Sequence, residues 1–187
     1  EKIPGVTYDT DLDRIITVQV TDNKNGELVA SVAAGSDNLT FNNTYATGDG
    51  TLDGATALNI EKTLTGRDAW TDHDVFTFTL TGSEDAPMPD ETTVVLTKDN
   101  VADGMTAAGS FGDITYTMDD RGKTYTYTIT EQAGTVYGMT YSKAEYTMTV
   151  EVEDNGQGGL DVTSTMTQTK AADGNEMEEP ADAAAFE

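Results

Sequence analysis

Three stretches of alternating sequence put a polar group where an apolar one belongs. Side chains of a β-strand alternate between its faces, so residues two apart are neighbours. In residues 58–64 (LNIEKTL), Leu58, Ile60, Lys62 and Leu64 share a face. In residues 125–131 (YTYTITE), Tyr125, Tyr127, Ile129 and Glu131 share one, and in residues 39–43 (LTFNN) so do Leu39, Phe41 and Asn43. If parity breaks at the strand ends, all three polar groups face solvent. If it holds, a lysine, a carboxyl and a carboxamide are buried, and leaving such groups unpaired costs several kcal/mol each. Together they are the components of a spontaneous isopeptide bond. Desolvation disfavours the charged form of a buried amine, which then attacks the amide carbon of asparagine. The acid, kept protonated by the same apolar surroundings, polarises the carbonyl and shuttles protons to the leaving ammonia. Lys62 is the candidate nucleophile, Glu131 the proton shuttle and Asn43 the acceptor. Tyr125, Tyr127, Phe76 and Phe78 are the candidate walls.

The elements that must position these residues read as strands. Residues 14–20 (RIITVQV), 74–80 (DVFTFTL), 92–96 (TTVVL), 124–130 (TYTYTIT) and 146–152 (YTMTVEV) have period two and are rich in β-branched and aromatic residues. Turn signals such as Asn25-Gly26 and Arg121-Gly122 separate them, and no long stretch carries a 3.6 period. The expected fold is all-β, an Ig-like Greek-key antiparallel sandwich.

The chain also repeats itself. Residues 5–8 (GVTY) match 138–141 (GMTY), residues 17–23 (TVQVTDN) match 149–155 (TVEVEDN), Leu28 matches Leu160 and Phe41 matches Phe186. Residues 1–45 therefore read as the C-terminal strands of one repeat. Residues 46–187 read as a second repeat lacking the end of its last strand. Residues 47–57 (TGDGTLDGATA) read as a linker, and residues 170–185 as an exposed acidic loop before a short final strand.

Composition narrows the function classes. The chain has 187 residues, 34 acidic against 10 basic, for a net charge of −24. Such a field repels nucleic acid and anionic membrane surfaces. There is no cysteine, so disulfides and thiolate metal sites are excluded. Mean hydropathy is −0.45, and no apolar run is long enough to cross a membrane as a helix. Neither a cofactor nor a metal is expected: Asp9, Asp11 and Asp13 alternate but do not form an EF-hand loop.

These strands resemble the isopeptide-linked domains of Gram-positive major pilins, relatives of the B-type repeats of collagen adhesins. Residues 58–64 resemble the first strand carrying the lysine, 125–131 the strand carrying the glutamate, and 39–43 the terminal strand carrying the asparagine. The resemblance implies the roles given above for Lys62 and Glu131, with Asn43 as acceptor of the preceding repeat. It implies parallel, adjacent first and last strands, so the acceptor belonging with Lys62 should follow Glu187. Two outcomes stay open: Lys62 is unlinked, or the 39–43 strand pairs with it, within the chain or from a neighbour by strand exchange. The implied function is a structural stalk module of a cell-wall-attached surface protein or pilus, with neighbouring repeats as partners and no turnover activity. The alternative is an adhesin domain that binds host protein or glycan through its loops, with Trp70 as the candidate contact.

Overall fold

The computed structural model describes residues 2–36 and 39–187. The chain divides into two compact units, Glu1–Ala46 and Thr47–Glu187.

The first unit holds two short antiparallel ribbons. β1 (Val6–Thr7) pairs with β4 (Thr44–Tyr45), and β2 (Val18–Asp22) with β3 (Leu28–Val32). Ribbons this small enclose no core, and Val18, Val20, Leu28 and Val32 are all exposed. The expected strand at 39–43 is not formed: these residues precede β4 without strand structure, and Leu39 and Phe41 are about half exposed. They are held by Arg14, which donates to Thr40 O and lies 4.5 Å over the Phe41 ring, and by Asp9, which accepts the Asn42 N–H.

The second unit is a sandwich. It begins with β5 (Gly50–Leu52) and one turn of helix, α1 (Gly54–Ala57), capped by Asp53. The strands that follow are β6 (Asn59–Thr63), β7 (Val75–Gly82), β8 (Thr93–Thr97), β9 (Val101–Asp103), β10 (Thr106–Ser110) and β11 (Ile114–Tyr116). The long strands come next: β12 (Lys123–Glu131), β13 (Glu145–Asp154) and β14 (Leu160–Lys170). β15 (Glu176–Ala181) and β16 (Ala184–Phe186) end the chain. One antiparallel sheet has the order β15-β14-β13-β12-β7-β8, and a second the order β16-β6-β10-β9, in which β16 runs parallel to β6. Threonines alternate outward while Phe76, Phe78, Tyr127, Ile129, Met148 and Val150 point inward, which is the period-two pattern of a half-buried sheet. Among the described residues, no helix is long and apolar enough to cross a membrane.

Two segments differ from expectation. Residues 47–57 are not a free linker: β5 pairs with β11, and Gly50, Leu52 and Gly54 are buried. The glycines serve close packing. A Cβ on Gly54 would collide with the carbonyl oxygens of Phe111 and Gly112, and one on Gly50 would lie 2.7 Å from Val162 Cγ2. The acidic stretch likewise contains β15, paired along β14 with Gln168 opposite Glu179 and Lys170 opposite Glu176. Carboxylates on an edge strand stay solvated and discourage pairing with another chain.

The two units share loop geometry in detail. Gly5 and Gly138 both have φ near the left-handed region, +75° and +79°. Tyr8 Oη accepts from Ile3 N at 2.8 Å, and Tyr141 Oη from Val136 N at 3.4 Å. In the following hairpins, Asn23 Oδ1 accepts from Asn25 N and Glu27 N, and Asn155 Oδ1 from Gln157 N and Gly159 N. Such Asx caps close the turn in place of backbone pairing.

Candidate functional site

The site forms where β6, β12 and the loop before β13 meet in the core. Lys62 is presented by β6 between Ile60 and Leu64, and Glu131 by the last residue of β12. Lys62 Nζ donates to Glu131 Oε2 at 3.1 Å, with the two side chains 1% and 0% exposed. The same Oε2 accepts the Ser142 backbone N–H at 3.0 Å. Oε1 is buried and has no hydrogen-bond partner among the described residues. The Phe76 ring lies under the amine, with its centroid 4.8 Å from Nζ. On the far side of β6, Phe186 of β16 stands opposite Lys62 in register. A cleft of about 160 Å³ opens beside Lys62, bounded by Leu64, Met139 and Glu187.

The electrostatics follow from this enclosure. Burial pushes the Glu131 carboxyl above the usual carboxylate range, partly offset by the Lys62 charge and the Ser142 N–H. A folded-state value above the unfolded one means that the native protein binds the proton more tightly. The contribution of Glu131 to stability is then full below the ordinary carboxyl value and is lost as pH rises through the raised one. Glu131→Gln, which cannot ionise, should therefore gain on the parent as pH is raised from acid to neutral in paired thermal melts. A constant difference between the two midpoints across that range would contradict the raised value.

Of the expected walls, Phe76 touches the amine, while Phe78 packs on Phe186 with ring centroids 4.9 Å apart. Tyr125 and Tyr127 are buried, but their hydroxyls serve another network: Tyr125 Oη donates to Asp120 at 2.5 Å and Tyr127 Oη to Pro87 O at 2.8 Å. Asn43 belongs to the first unit and is exposed there. Its Oδ1 accepts the Asp9 N–H at 3.0 Å. The position parallel to β6 is filled by β16 of the same unit rather than by residues 39–43. Asp9 and Asp11 pair with Arg14, each at 2.8 Å. Trp70 is half-buried, edge-on to Phe76, with Nε1 donating to Met105 O at 2.9 Å. Sequence reasoning missed the Ser142 N–H. The signal available was the repeat, since the matched GVTY and GMTY loops are followed by Asp9 and Ser142.

The second unit is thus a β-sandwich built around a sealed lysine–glutamate pair, the class of domain anticipated from the resemblance to Gram-positive pilins. The chain belongs to the family of Spy0128-like isopeptide containing domains, whose family model, FctA, matches residues 1–46 and 58–180. Among solved structures it is similar to the major pilin protein T-13 of Streptococcus pyogenes, at 18% identity and a TM-score of 0.49, covering 75% of this chain and 52% of that one. A point mutant of the Streptococcus pyogenes major pilin is similar at 14% identity and a TM-score of 0.46, over 75% of this chain and 49% of that one. The chain therefore spans about half the length of the solved pilins it matches. A search of curated proteins found no match.

Proposed function

We propose that this chain is a load-bearing shaft module of a Gram-positive pilus or surface adhesin, stabilised by a self-formed Lys–Asn isopeptide bond. The observation that carries this reading is the Lys62–Glu131 pair, sealed in the core at 3.1 Å beside an unpartnered carboxyl oxygen. Lys62 is the nucleophile. Protonated Glu131 gives its proton to the leaving ammonia and takes one back from Nζ, so the shuttle ends as it began. The acceptor is an asparagine on a continuation of β16, which runs parallel to β6 and whose Phe186 matches Phe41, two residues before Asn43. Asn43 is the corresponding acceptor of the preceding repeat, of which residues 1–45 are the C-terminal strands. By analogy with a disulfide, bridging the first and last strands around a loop of roughly 100 residues stabilises by about 4–5 kcal/mol. Under tension the bridge carries force between the terminal strands, a role that suits a chain without disulfides. The module acts once on itself, on the cell surface, with neighbouring repeats as partners.

Intact mass tests the reading on a chain that continues past Glu187 with Asn-Thr, the residues that follow Asn42. It should weigh about 17 Da less than its sequence, the mass of one ammonia. Lys62→Ala and Glu131→Ala should restore the full mass. Asn43→Ala should leave the deficit, whereas its loss would assign Asn43 as the acceptor. Full mass in the parent refutes the bond.

A further inference from the structure

We infer that the backbone N–H of Ser142 is an oxyanion donor for this bond, passed from Glu131 to the acceptor carboxamide when the acceptor arrives. The inference rests on the isopeptide reading above. Its basis is a pair of N–H groups at matching places in two similar loops. The 3–9 and 136–142 loops have the same turn: Val6 N donates to Ile3 O at 3.2 Å, and Met139 N to Val136 O at 3.1 Å. Each has a left-handed glycine and a tyrosine hydroxyl that ties down the start of the loop. The next N–H is then aimed at a reacting group in both. In the second unit, Ser142 N donates to the carboxylate of Glu131 at 3.0 Å. In the first, Asp9 N donates to the carboxamide oxygen of Asn43, also at 3.0 Å. The donor position is common, and the acceptors are the two carbonyl-bearing partners of the same chemistry.

Both oxygens in one completed site compete for a single N–H. The carboxamide oxygen gains most from it, because it acquires negative charge when Nζ adds to Cγ. In the first unit the donor already reaches the carboxamide oxygen at 3.0 Å, the atom on which the charge would develop. Losing the N–H also removes one of the interactions that hold the Glu131 carboxyl down. Docking of the acceptor thereby favours the protonated acid, the form that can donate. The balance closes. The neutral Nζ amine adds to Cγ, the bond from Cγ to the amide nitrogen breaks, that nitrogen departs as ammonia with the proton that Glu131 donates, and Glu131 takes its proton back from the newly bonded Nζ. The N–H donates throughout and is not consumed.

The test uses the chain carrying Asn-Thr after Glu187. Lactic acid placed at position 142 by in vitro translation replaces the N–H with an ester oxygen, and Ser142→Ala is its matched control. Mass spectrometry follows the loss of ammonia with time. The ester should react about 100-fold or more slower than Ser142→Ala, the usual effect of deleting an oxyanion donor. An ester that reacts at the control rate overturns the inference. Should the ester variant not fold, the bonded parent decides by NMR: a coupling across the hydrogen bond should connect Ser142 N with the carbonyl carbon of the isopeptide. Coupling to the Glu131 carboxyl carbon instead overturns the hand-over while leaving the bond intact. A parent that never loses ammonia fails one step earlier and removes the isopeptide reading itself.

Discussion

Glu131→Ala should destabilise the unbonded second unit by about 3–5 kcal/mol, the usual cost of removing one member of a buried ion pair. Lys62 would keep its amine in the core, 1% exposed, with the Phe76 ring as its neighbour. The Ser142 N–H would lose its acceptor as well, which adds a desolvation cost of its own. Lys62→Met should cost less. It keeps the volume and the apolar contacts with Ile60 and Leu64, and the remaining carboxyl can stay protonated in a site that already raises its pKa. The double variant Lys62→Met/Glu131→Leu should be as stable as the parent or more so, because an apolar pair suffers no desolvation of charge. Urea midpoints at constant m-value measure all four proteins, with mass spectrometry confirming that each is unbonded. A coupling of about 2 kcal/mol or more between the two sites is expected, and additivity within about 0.5 kcal/mol would show that the charges do not sense each other. The expected order bears on function. If hydrocarbon in place of the pair leaves the fold intact, stability alone does not explain a lysine and a glutamate in this core, and their chemistry does.

The sequence announced the pair because strands impose a strict period of two. Ile60 and Lys62 could not be split between faces without breaking β6, and the same holds for Tyr127, Ile129 and Glu131 in β12. Residues 39–43 follow the same alternation and yet are not a strand. Alternation states which face a residue would take, whereas a strand also needs a backbone ladder; here Arg14 and Asp9 side chains take Thr40 O and Asn42 N instead. The 47–57 segment misled in the opposite sense. Its glycines read as freedom, but Gly54 is glycine because the backbone of Phe111 and Gly112 leaves no room for a Cβ. The Ser142 N–H was hidden for a simpler reason. A backbone donor has no side-chain signature, and only its place at the end of a repeated loop marks it. β15 was obscured by composition, since edge strands carry the charges that also mark loops.

Phe186→Ala should cost about 3–5 kcal/mol, the usual range for truncating a buried aromatic. β16 is three residues long and pairs in parallel with β6 alone, so its own hydrogen bonds hold it weakly. Its largest buried side chain is one ring. Phe186 is buried, meets Tyr146 edge-on with centroids 5.1 Å apart, and lies 4.9 Å from Phe78. The Tyr146 hydroxyl adds a bond to Ala185 O at 2.5 Å. Without the ring, a cavity opens between the two sheets, β16 loses its anchor, and β6 becomes an exposed edge that admits water to Lys62. Phe186→Leu retains most of the apolar volume and should cost less than about 2 kcal/mol. Hydrogen exchange at the β6 amides distinguishes local from global loss. Protection at Ile60 to Thr63 should fall further in Phe186→Ala than protection in β13. Protection lost equally across the core would place Phe186 in the general packing, with no special hold on the strand beside Lys62. Selective loss would mean that the same ring fixes the direction in which any continuation of β16 leaves, and so whether an acceptor amide reaches the cleft beside Nζ at all.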